Sequence, residues 1–585
     1  MVAARHRWVL RSVESPSPAL LAAGETAGLG RAAIAVLAGR GISTEIELGA
    51  YLSDPLAGLH DPRLLPDADA LRARVAAART AGRPVVVFGD FDADGLTGLA
   101  ILTLALRRLG LEVIPYVPSR LDEGHGLSVA AVEAAERAGA ALIVTVDTGS
   151  SSVDEVALAR RRGIDVAITD HHRVPPDPPE AIALVNPHRR DAGYPDRRLS
   201  GAGVAFKVAQ LLLADEPGGP EAALALADLA TIGTVSDIAP IVGENRAIAR
   251  LGLAVLRAGP RPGLAALVAR AGIDPAGVDL EDVAFRIAPR LNAAGRVGSA
   301  STAAALLLAS EIGEAASQAE RLEADNATRR ELTRQTLAEV REAVEPGRPA
   351  IVHGPWAVGV LGLVAGRLAD ETGQPAVVGA DLGPVVRASC RSGPGVDLAA
   401  VLEACGDLLI RHGGHAGAAG LEVASTDWDA LRDRLTELLV IPTGPDPRST
   451  LLVDLSLPAR AIDYHLVHDL GRLEPFGPGN PDPLVVISGL TVARVRAAEG
   501  GHTQLVLRRQ PDVLDGIAFG RDDLPGALVV GEAVDVVARL MSRTFGGFES
   551  LQLEVRDVAT AGVVAGASPT TAEAATTSAA VAGAR

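Results

Sequence analysis

Val85-Val86-Val87-Phe88-Gly89-Asp90-Phe91-Asp92-Ala93-Asp94-Gly95 runs from a β-branched segment straight into three carboxylates at alternate positions. The apolar run is short and β-branched, which predicts a strand rather than a helix. Gly95 allows a tight turn, and helical spacing begins near Leu96. The same alternation continues downstream. Short β-branched runs at 85–88, 112–117, 141–146 and 164–169 are separated by Ala-, Leu- and Arg-rich stretches of helical period. That pattern predicts βαβ units and a parallel sheet.

Ligands of such sheets bind beyond the carboxyl ends of the strands. Leu142-Ile143-Val144-Thr145-Val146 ends at Asp147, and Val166-Ala167-Ile168-Thr169 ends at Asp170-His171-His172. Further on, Asp237 closes Gly233-Thr234-Val235-Ser236-Asp237. Asp90, Asp92 and Asp94 fall on one face of an extended segment. Carboxylates side by side repel one another unless cations lie between them. A solvated acidic loop capping a helix explains the triplet by itself. It does not explain acids and imidazoles recurring in the same context three more times. Oxygen-rich ligation with one or two imidazoles suits Mn²⁺ or Mg²⁺ better than structural zinc. Shared carboxylates suggest two ions; such pairs, about 4 Å apart, stabilise both the attacking and the leaving oxygen of a phosphate displacement. The chemistry expected is metal-assisted phosphoester hydrolysis.

The chain has 585 residues, enough for several domains, and a net charge of −17. An acidic average argues mildly against a nucleic-acid partner, but it leaves room for a local basic groove. Lys207 is the only lysine, so phosphate contacts fall to arginine, whose planar fork matches phosphate oxygens. Lys207 itself reads equally as a phosphate contact or as a helix-surface residue. Two cysteines, Cys390 and Cys405, exclude a disulfide framework and a zinc-finger spacing. No apolar run approaches the roughly 20 residues that span a bilayer, and the N-terminus lacks a signal-peptide core. The expectation is a cytoplasmic protein without a membrane partner.

Residues 1–80 read as an N-terminal cap region, helical around 17–40, and residues 81–309 as the α/β domain. Residues 310–346 hold a long stretch with no Pro before Pro346 and no Gly after Gly313, its apolar positions three to four apart, which predicts a connecting helix. A second, smaller α/β domain is expected over 347–446 and a small β-barrel over 447–560. The Ala- and Thr-rich tail, 561–585, is predicted to be disordered. Aromatic residues make up 3%, so base-stacking platforms are few; Phe476, Phe545 and Phe548 are candidates.

Asp90 to Gly95, Val146-Asp147-Thr148-Gly149 and Asp170-His171-His172 together resemble the DHH phosphoesterase superfamily. Further segments resemble its branch of bacterial single-strand-specific 5′→3′ exonucleases. They are Pro118-Ser119-Arg120, Glu123-Gly124-His125-Gly126-Leu127, the stretch Leu199 to Lys207, and Pro289-Arg290-Leu291-Asn292-Ala293-Ala294-Gly295-Arg296. Gly413-Gly414-His415 with Ala418-Ala419-Gly420 resembles the DHH-associated domain, and Glu474 to Pro481 resembles the segment leading into an OB-fold barrel. The resemblance covers about residues 45–557. It implies an α/β DHH domain joined by a long helix to a DHH-associated domain, followed by an OB fold.

The resemblance implies Asp92, Asp94, Asp147, His171 and Asp237 as metal ligands, with Asp90 as a further one. It implies Asp170 as the group orienting an imidazole. His172 would contact the attacking water or the scissile phosphate, or else make a structural hydrogen bond. Arg290, Asn292 and Arg296 are implied phosphate contacts, and small neighbours let a phosphate backbone approach them. Arg120, Ser389 and Arg391 are expected to form a pocket for a 5′-phosphate, and His415 to touch the strand. The implied activity is release of 5′-mononucleotides from single-stranded DNA in recombination and repair. A monomer is expected, with a single-strand-binding protein and a RecQ-type helicase as partners. Phe91 and His125 stand where tyrosine is common, Trp356-Ala357-Val358-Gly359-Val360 lacks a frequent histidine, and Arg387 to Ser392 is serine-rich. Phosphodiesterases of short oligonucleotides or cyclic dinucleotides are a second reading, but generally lack the barrel. A non-catalytic strand-binding relative is a third, and the complete acid and histidine set argues against it.

Overall fold

The structure, a computed structural model, describes residues 2–11, 15–120, 122–345, 347–393, 395–439, 449–509, 511–545 and 548–562. Five parallel strands carry the first α/β domain: β1 (Val85–Gly89), β2 (Val113–Tyr116), β3 (Leu142–Val146), β4 (Asp165–Thr169) and β5 (Ala183–Val185). Their order is β2-β1-β3-β4-β5. β1 and β3 are buried at every position, as their uninterrupted apolar runs require. The chain order reverses between β1 and β3, and a crevice opens at such a point.

Strand alternation divides the apolar side chains between two cores. Val85 and Val87 join Leu96, Leu99, Phe206 and Ile232 on one face. Val86, Phe88, Ile143 and Ile168 join Val132 and Val156 on the other. Each fully buried aliphatic side chain contributes roughly 1.5–3 kcal/mol. Helices α1 (Ala93–Arg108), α2 (Gly201–Leu213) and α3 (Ala227–Ser236) pack together on the first face, and α4 (Ala288–Val297) carries the Pro-Arg-Leu-Asn segment.

The long helix, α5, spans Ile312–Ala343. Ala319 and Leu322 lie in the core of the first domain, and Leu337 and Val340 lie in that of the second. One helix therefore closes two cores. The second domain is a five-stranded sheet of β6 (Ala350–Gly354), β7 (Ala376–Asp381), β8 (Val385–Arg391), β9 (Leu409–His415) and β10 (Ala418–Ala424), in the order β9-β10-β8-β7-β6. Only β6 and β7 pair in parallel.

The C-terminal region builds a barrel from β11 (Leu455–Leu457), β12 (Leu484–Ala498), β13 (His502–Arg509), β14 (Asp512–Ala518), β15 (Ala533–Phe545) and β16 (Phe548–Thr560). Strands run β11-β12-β13-β14-β16-β15, and β15 pairs back onto β12. Closure removes the exposed edges of the sheet. Phe476 packs against the barrel core. The side chains of Phe545 and Phe548 lie outside the described residues, as does the tail beyond Gly562.

The expected cap, 1–80, is not one piece. Residues up to Ser53 belong with the barrel, and residues from Asp54 with the α/β domains. Arg7–Leu10 pairs with Thr450–Val453, and Leu20, Ile34, Leu37 and Leu48 share the core of Leu466, Leu470 and Val485. Pairing across more than four hundred residues has no local signature in sequence. Among the described residues, no helix is long and apolar enough to cross a membrane.

Candidate metal centre

In-register pairing aligns Gly89 with Val146, Val146 with Thr169, and Thr169 with Val185. The ladder runs one residue further. Asp90 N donates to Val146 O at 3.3 Å, Asp147 N to Thr169 O at 3.0 Å, and Asp170 N to Val185 O at 3.1 Å. Asp90, Asp147, Asp170 and Asn186 therefore form a row along the carboxyl edge of the sheet, spaced by the strand separation of about 4.8 Å.

Helix ends bring further acids to this row. Asp92 caps α1, accepting from the amides of Asp94 and Gly95 at 3.0 and 3.1 Å. Asp94 accepts from the amides of Gly201 and Ala202, at the start of α2, at 2.6 and 2.9 Å. Helix N-termini favour negative charge, so both carboxylates sit where the backbone offsets their repulsion. Gly201 has no substitute: a Cβ there would lie 2.4 Å from the Cβ of Asp147. Asp147 itself adopts φ 59°, in the left-handed region that aspartate tolerates better than most residues.

Three groups of ligand atoms lie within 4.8 Å of one another: Asp90, Asp92 and Asp147; Asp147, His171 and His172; Asp94, His171 and Asp237. Asp147 and His171 each serve two groups, which links the three. Burial, then the charges of Asp90 and Asp94, pushes the Asp92 carboxyl up to about 6. Burial, only partly opposed by His171 and reinforced by Asp94, pushes Asp237 up to about 7. Burial with Asp94 and Asp92 drives Asp147 well above the usual carboxylate range. Oδ1 of Asp90 is buried without a hydrogen-bond partner, and Nε2 of His171 lies against Asp147 Oδ1 without hydrogen-bond geometry. Crowded carboxylates that resist ionisation and orphaned ligand atoms among them fit divalent cations, which reverse the repulsion.

Asp170 differs from its neighbours. Its Oδ1 accepts from the amides of His171 and His172 at 2.8 and 3.2 Å and lies 2.8 Å from Nδ1 of His172. Its Oδ2 accepts from Ser150 N at 3.1 Å. Burial opposes ionisation, but the His172 hydrogen bond and charge override it and hold Asp170 well below the ordinary carboxylate range. In return Asp170 outweighs the effect of burial on His172 and lifts that imidazole to about 9. The Asp170 carboxylate thus holds the His172 ring by its Nδ1.

Cationic side chains from both α/β domains gather nearby. The Arg120 guanidinium stacks over the Phe91 ring, 4.9 Å from its centroid. Arg296 Nη1 donates to Gly359 O at 3.2 Å, across the two domains. Burial, then the charges of Arg120 and Arg329, depresses Arg296 to about 9, and Arg391 adds to the effect. Burial, reinforced by Arg120, also lowers Arg391. Ser389 and Arg391, two apart on β8, share a face. Both reach Gly362, where a Cβ would lie 3.7 Å from Ser389 Oγ and 3.1 Å from Arg391 Nη2. Arginines that depress one another favour an anion between them.

Within the chain, other residues expected at phosphate or along the strand have these surroundings. Asn292, expected at phosphate, instead accepts from Ala93 N at 2.8 Å and donates to Ser236 Oγ at 3.2 Å. It ties the Asp92 turn to the Asp237 turn. Arg290 is engaged by Glu323 at 2.7 Å and by Arg286 O at 2.6 Å. His415 is exposed at the end of β9. Lys207 is neither a phosphate contact nor a surface residue. It is fully buried, 3.0 Å from Glu244 and donating to His60 O at 2.6 Å.

Sequence reasoning missed three residues of the centre. His125, read as a tolerated replacement for tyrosine, places Nδ1 3.2 Å from Asp90 Oδ2. Asn186 donates to Ser150 Oγ and His172 O at 3.0 and 2.9 Å. Its signal was available, since it follows the last strand of the row. His188 is lowered by burial and then by the charge of His171, and no spacing announces it.

Comparison with known proteins matches residues 84–234 to the DHH family, N-terminal domain, 349–440 to the DHHA1 domain, and 453–557 to the RecJ OB domain. The single-stranded-DNA-specific exonuclease RecJ of Bacillus subtilis is 33% identical over 569 residues, covering 96% of this chain and 71% of the relative. The Escherichia coli protein of that name is 34% identical, covering 82% of this chain and 87% of the relative. The crystal structure of Thermus thermophilus RecJ with Mn²⁺ superposes with a TM-score of 0.81 at 30% identity, covering 95% of this chain and 80% of the other.

Proposed function

The chain belongs to the RecJ family of single-stranded-DNA-specific exonucleases, and on that premise we propose that it shortens single-stranded DNA from the 5′ end, releasing 5′-mononucleotides. The observation that carries the proposal is the pairing of the three linked ligand groups with an arginine cluster drawn from both α/β domains.

Asp90, Asp92, Asp94, Asp147, His171 and Asp237 are the groups that would hold two Mn²⁺ or Mg²⁺ ions. Bound there, such ions supply Lewis acidity toward the phosphoryl group, an activated water and charge neutralisation at the leaving oxygen. His172 has its Nδ1 turned to Asp170, which leaves Nε2 for an oxygen of the scissile phosphate. Asp170 and Asn292 position: the first fixes His172, the second holds two acid-bearing turns together.

A terminal phosphate carries more negative charge than an internal one. Arg120, Arg296 and Arg391, with Ser389, offer guanidinium forks and a hydroxyl suited to it. A pocket that takes a terminal phosphate on the 5′ side sets polarity. The barrel supplies a surface of the kind OB folds use for single strands. The cellular reading is recombination and repair in the cytoplasm, with a single-strand-binding protein and a RecQ-type helicase presenting the strand.

The test uses single-stranded DNA labelled at either end, with and without a 5′-phosphate, in Mn²⁺. Expected are mononucleotides from the 5′ end and a rate on phosphorylated ends about tenfold or more higher, the scale of charged hydrogen bonds. Equal rates on both ends overturn the pocket. Release from the 3′ end overturns the polarity, and cleavage confined to dinucleotides overturns the substrate.

A further inference from the structure

Helix α3 ends at Ser236, and the chain leaves it through Asp237, Ile238 and Ala239. Ile238 N donates to Val235 O and Ala239 N to Thr234 O, both at 3.1 Å. Bonds of this kind turn a chain out of a helix through one left-handed residue, a place that glycine usually takes and asparagine sometimes. Here it is isoleucine, at φ 58°. A β-branched side chain crowds its own backbone in that conformation, so the position is strained. The other non-glycine residues at positive φ among the described residues are Asp67 and Asp147, and aspartate accepts the conformation far more readily.

Packing does not offset the strain. Ile238 is 71% exposed. It directly follows Asp237, one of the groups placed to hold a metal ion. The fold by itself would be served better by glycine or asparagine at this turn. A strained backbone that holds an apolar branched side chain in solvent, beside the reacting centre, points to a contact made outside the chain.

We propose that Ile238 is a substrate-contact residue, packing against the sugar or base of a nucleotide next to the scissile phosphate. The inference rests on the reading of the chain as a nuclease of single-stranded DNA. The acids and histidines of the centre suit metal ions and its arginines suit phosphate, and aromatic platforms are scarce at 3% of the chain. An unpaired nucleotide offers apolar surface on its base and deoxyribose, and that surface is what distinguishes it from bare phosphate. A β-branched side chain is stiff at χ1 and so loses little freedom when it meets such a surface.

The test compares wild type with Ile238→Val, Ile238→Gly and Ile238→Asn. Glycine and asparagine accept the left-handed turn, so both variants should melt no lower than wild type. Expected is a KM for 5′-phosphorylated single strands raised about tenfold in the Gly and Asn variants, the scale of one lost base contact. The Val variant stays near wild type, and Mn²⁺ affinity by calorimetry is the same in all four. An unchanged KM in the Gly and Asn variants overturns the proposal. Mn²⁺ affinity falling together with activity also overturns it, because Ile238 would then act through Asp237. A wild type inert on single strands in Mn²⁺ instead overturns the nuclease reading itself.

Discussion

Nε2 of His171 lies 3.0 Å from Oδ1 of Asp147, and these two side chains are the ones that tie the three ligand groups into a single centre. They come from adjacent strands, Asp147 following β3 and His171 following β4 by one residue more. The approach depends on the register of the sheet and on Gly201, which leaves room for Asp147 against α2.

Asp147→Asn tests that linkage. Asparagine keeps the shape and accepts the left-handed backbone, but it removes the charge shared by two groups. Exonuclease activity should fall by more than the 10- to 100-fold typical of groups that merely support metal ligands. Mn²⁺ affinity should fall with it. Thermal stability without metal should hold or rise, because one member of a mutually repelling, buried set is neutralised. A variant that melts early would show the loss to be one of folding.

Asn292→Ala separates positioning from phosphate binding. With both amide ends engaged by Ala93 and Ser236, Asn292 acts on the geometry of Asp92 and Asp237. The expected result is a kcat lowered about 10- to 100-fold with KM for the strand little changed. A raised KM at constant kcat would restore the phosphate contact that the sequence suggested.

The fold and the acids were legible because both depend on short-range patterns. A buried parallel strand announces itself as an unbroken β-branched run, and the next residue then lies at the ligand-binding edge. Asp90, Asp147 and Asp170 follow from that rule alone. Asn186 follows from it as well, but a neutral amide after a three-residue strand carries little weight. The roles of Asn292 and Arg290 were not legible, because they depend on Ser236 and Glu323, residues brought close only by helix packing. Lys207 was misjudged for the same reason. Its acidic partner lies in another helix, and nothing around Lys207 in sequence marks a buried charge. The division at Ser53 also rests on pairing between distant segments.

Lys207→Met addresses that buried charge. Lys207 and Glu244 are both fully buried, and Glu244 also accepts from Tyr194 at 2.6 Å and from the amide of His60 at 2.9 Å. Removing the lysine leaves an unpaired buried carboxylate, which typically costs about 3–5 kcal/mol. Denaturant unfolding of the α/β unit should shift by that order, while the folded fraction keeps its salt-dependent DNA affinity. Pairing the change with Glu244→Gln should recover most of the loss. Weakened DNA binding at unchanged stability would restore a phosphate contact for Lys207.

Metal binding should depend on pH with a fixed sign. In the metal-free centre Asp92 titrates at about 6 and Asp237 at about 7, and Asp147 is raised as well. A cation binds the deprotonated oxygens, so below these values it must displace protons, and above them it does not. Apparent Mn²⁺ affinity should therefore rise with pH through the range of 6 to 7, by up to about tenfold per unit for each proton released, and level off above it. Calorimetry in two buffers of different ionisation enthalpy counts those protons. Release should be largest below the Asp92 value, fall through the range of 6 to 7 and vanish toward alkaline pH, unless Asp147 stays protonated longer and extends the rise. An affinity that falls with pH, or that rises without proton release, would mean that these carboxylates do not hold the metal.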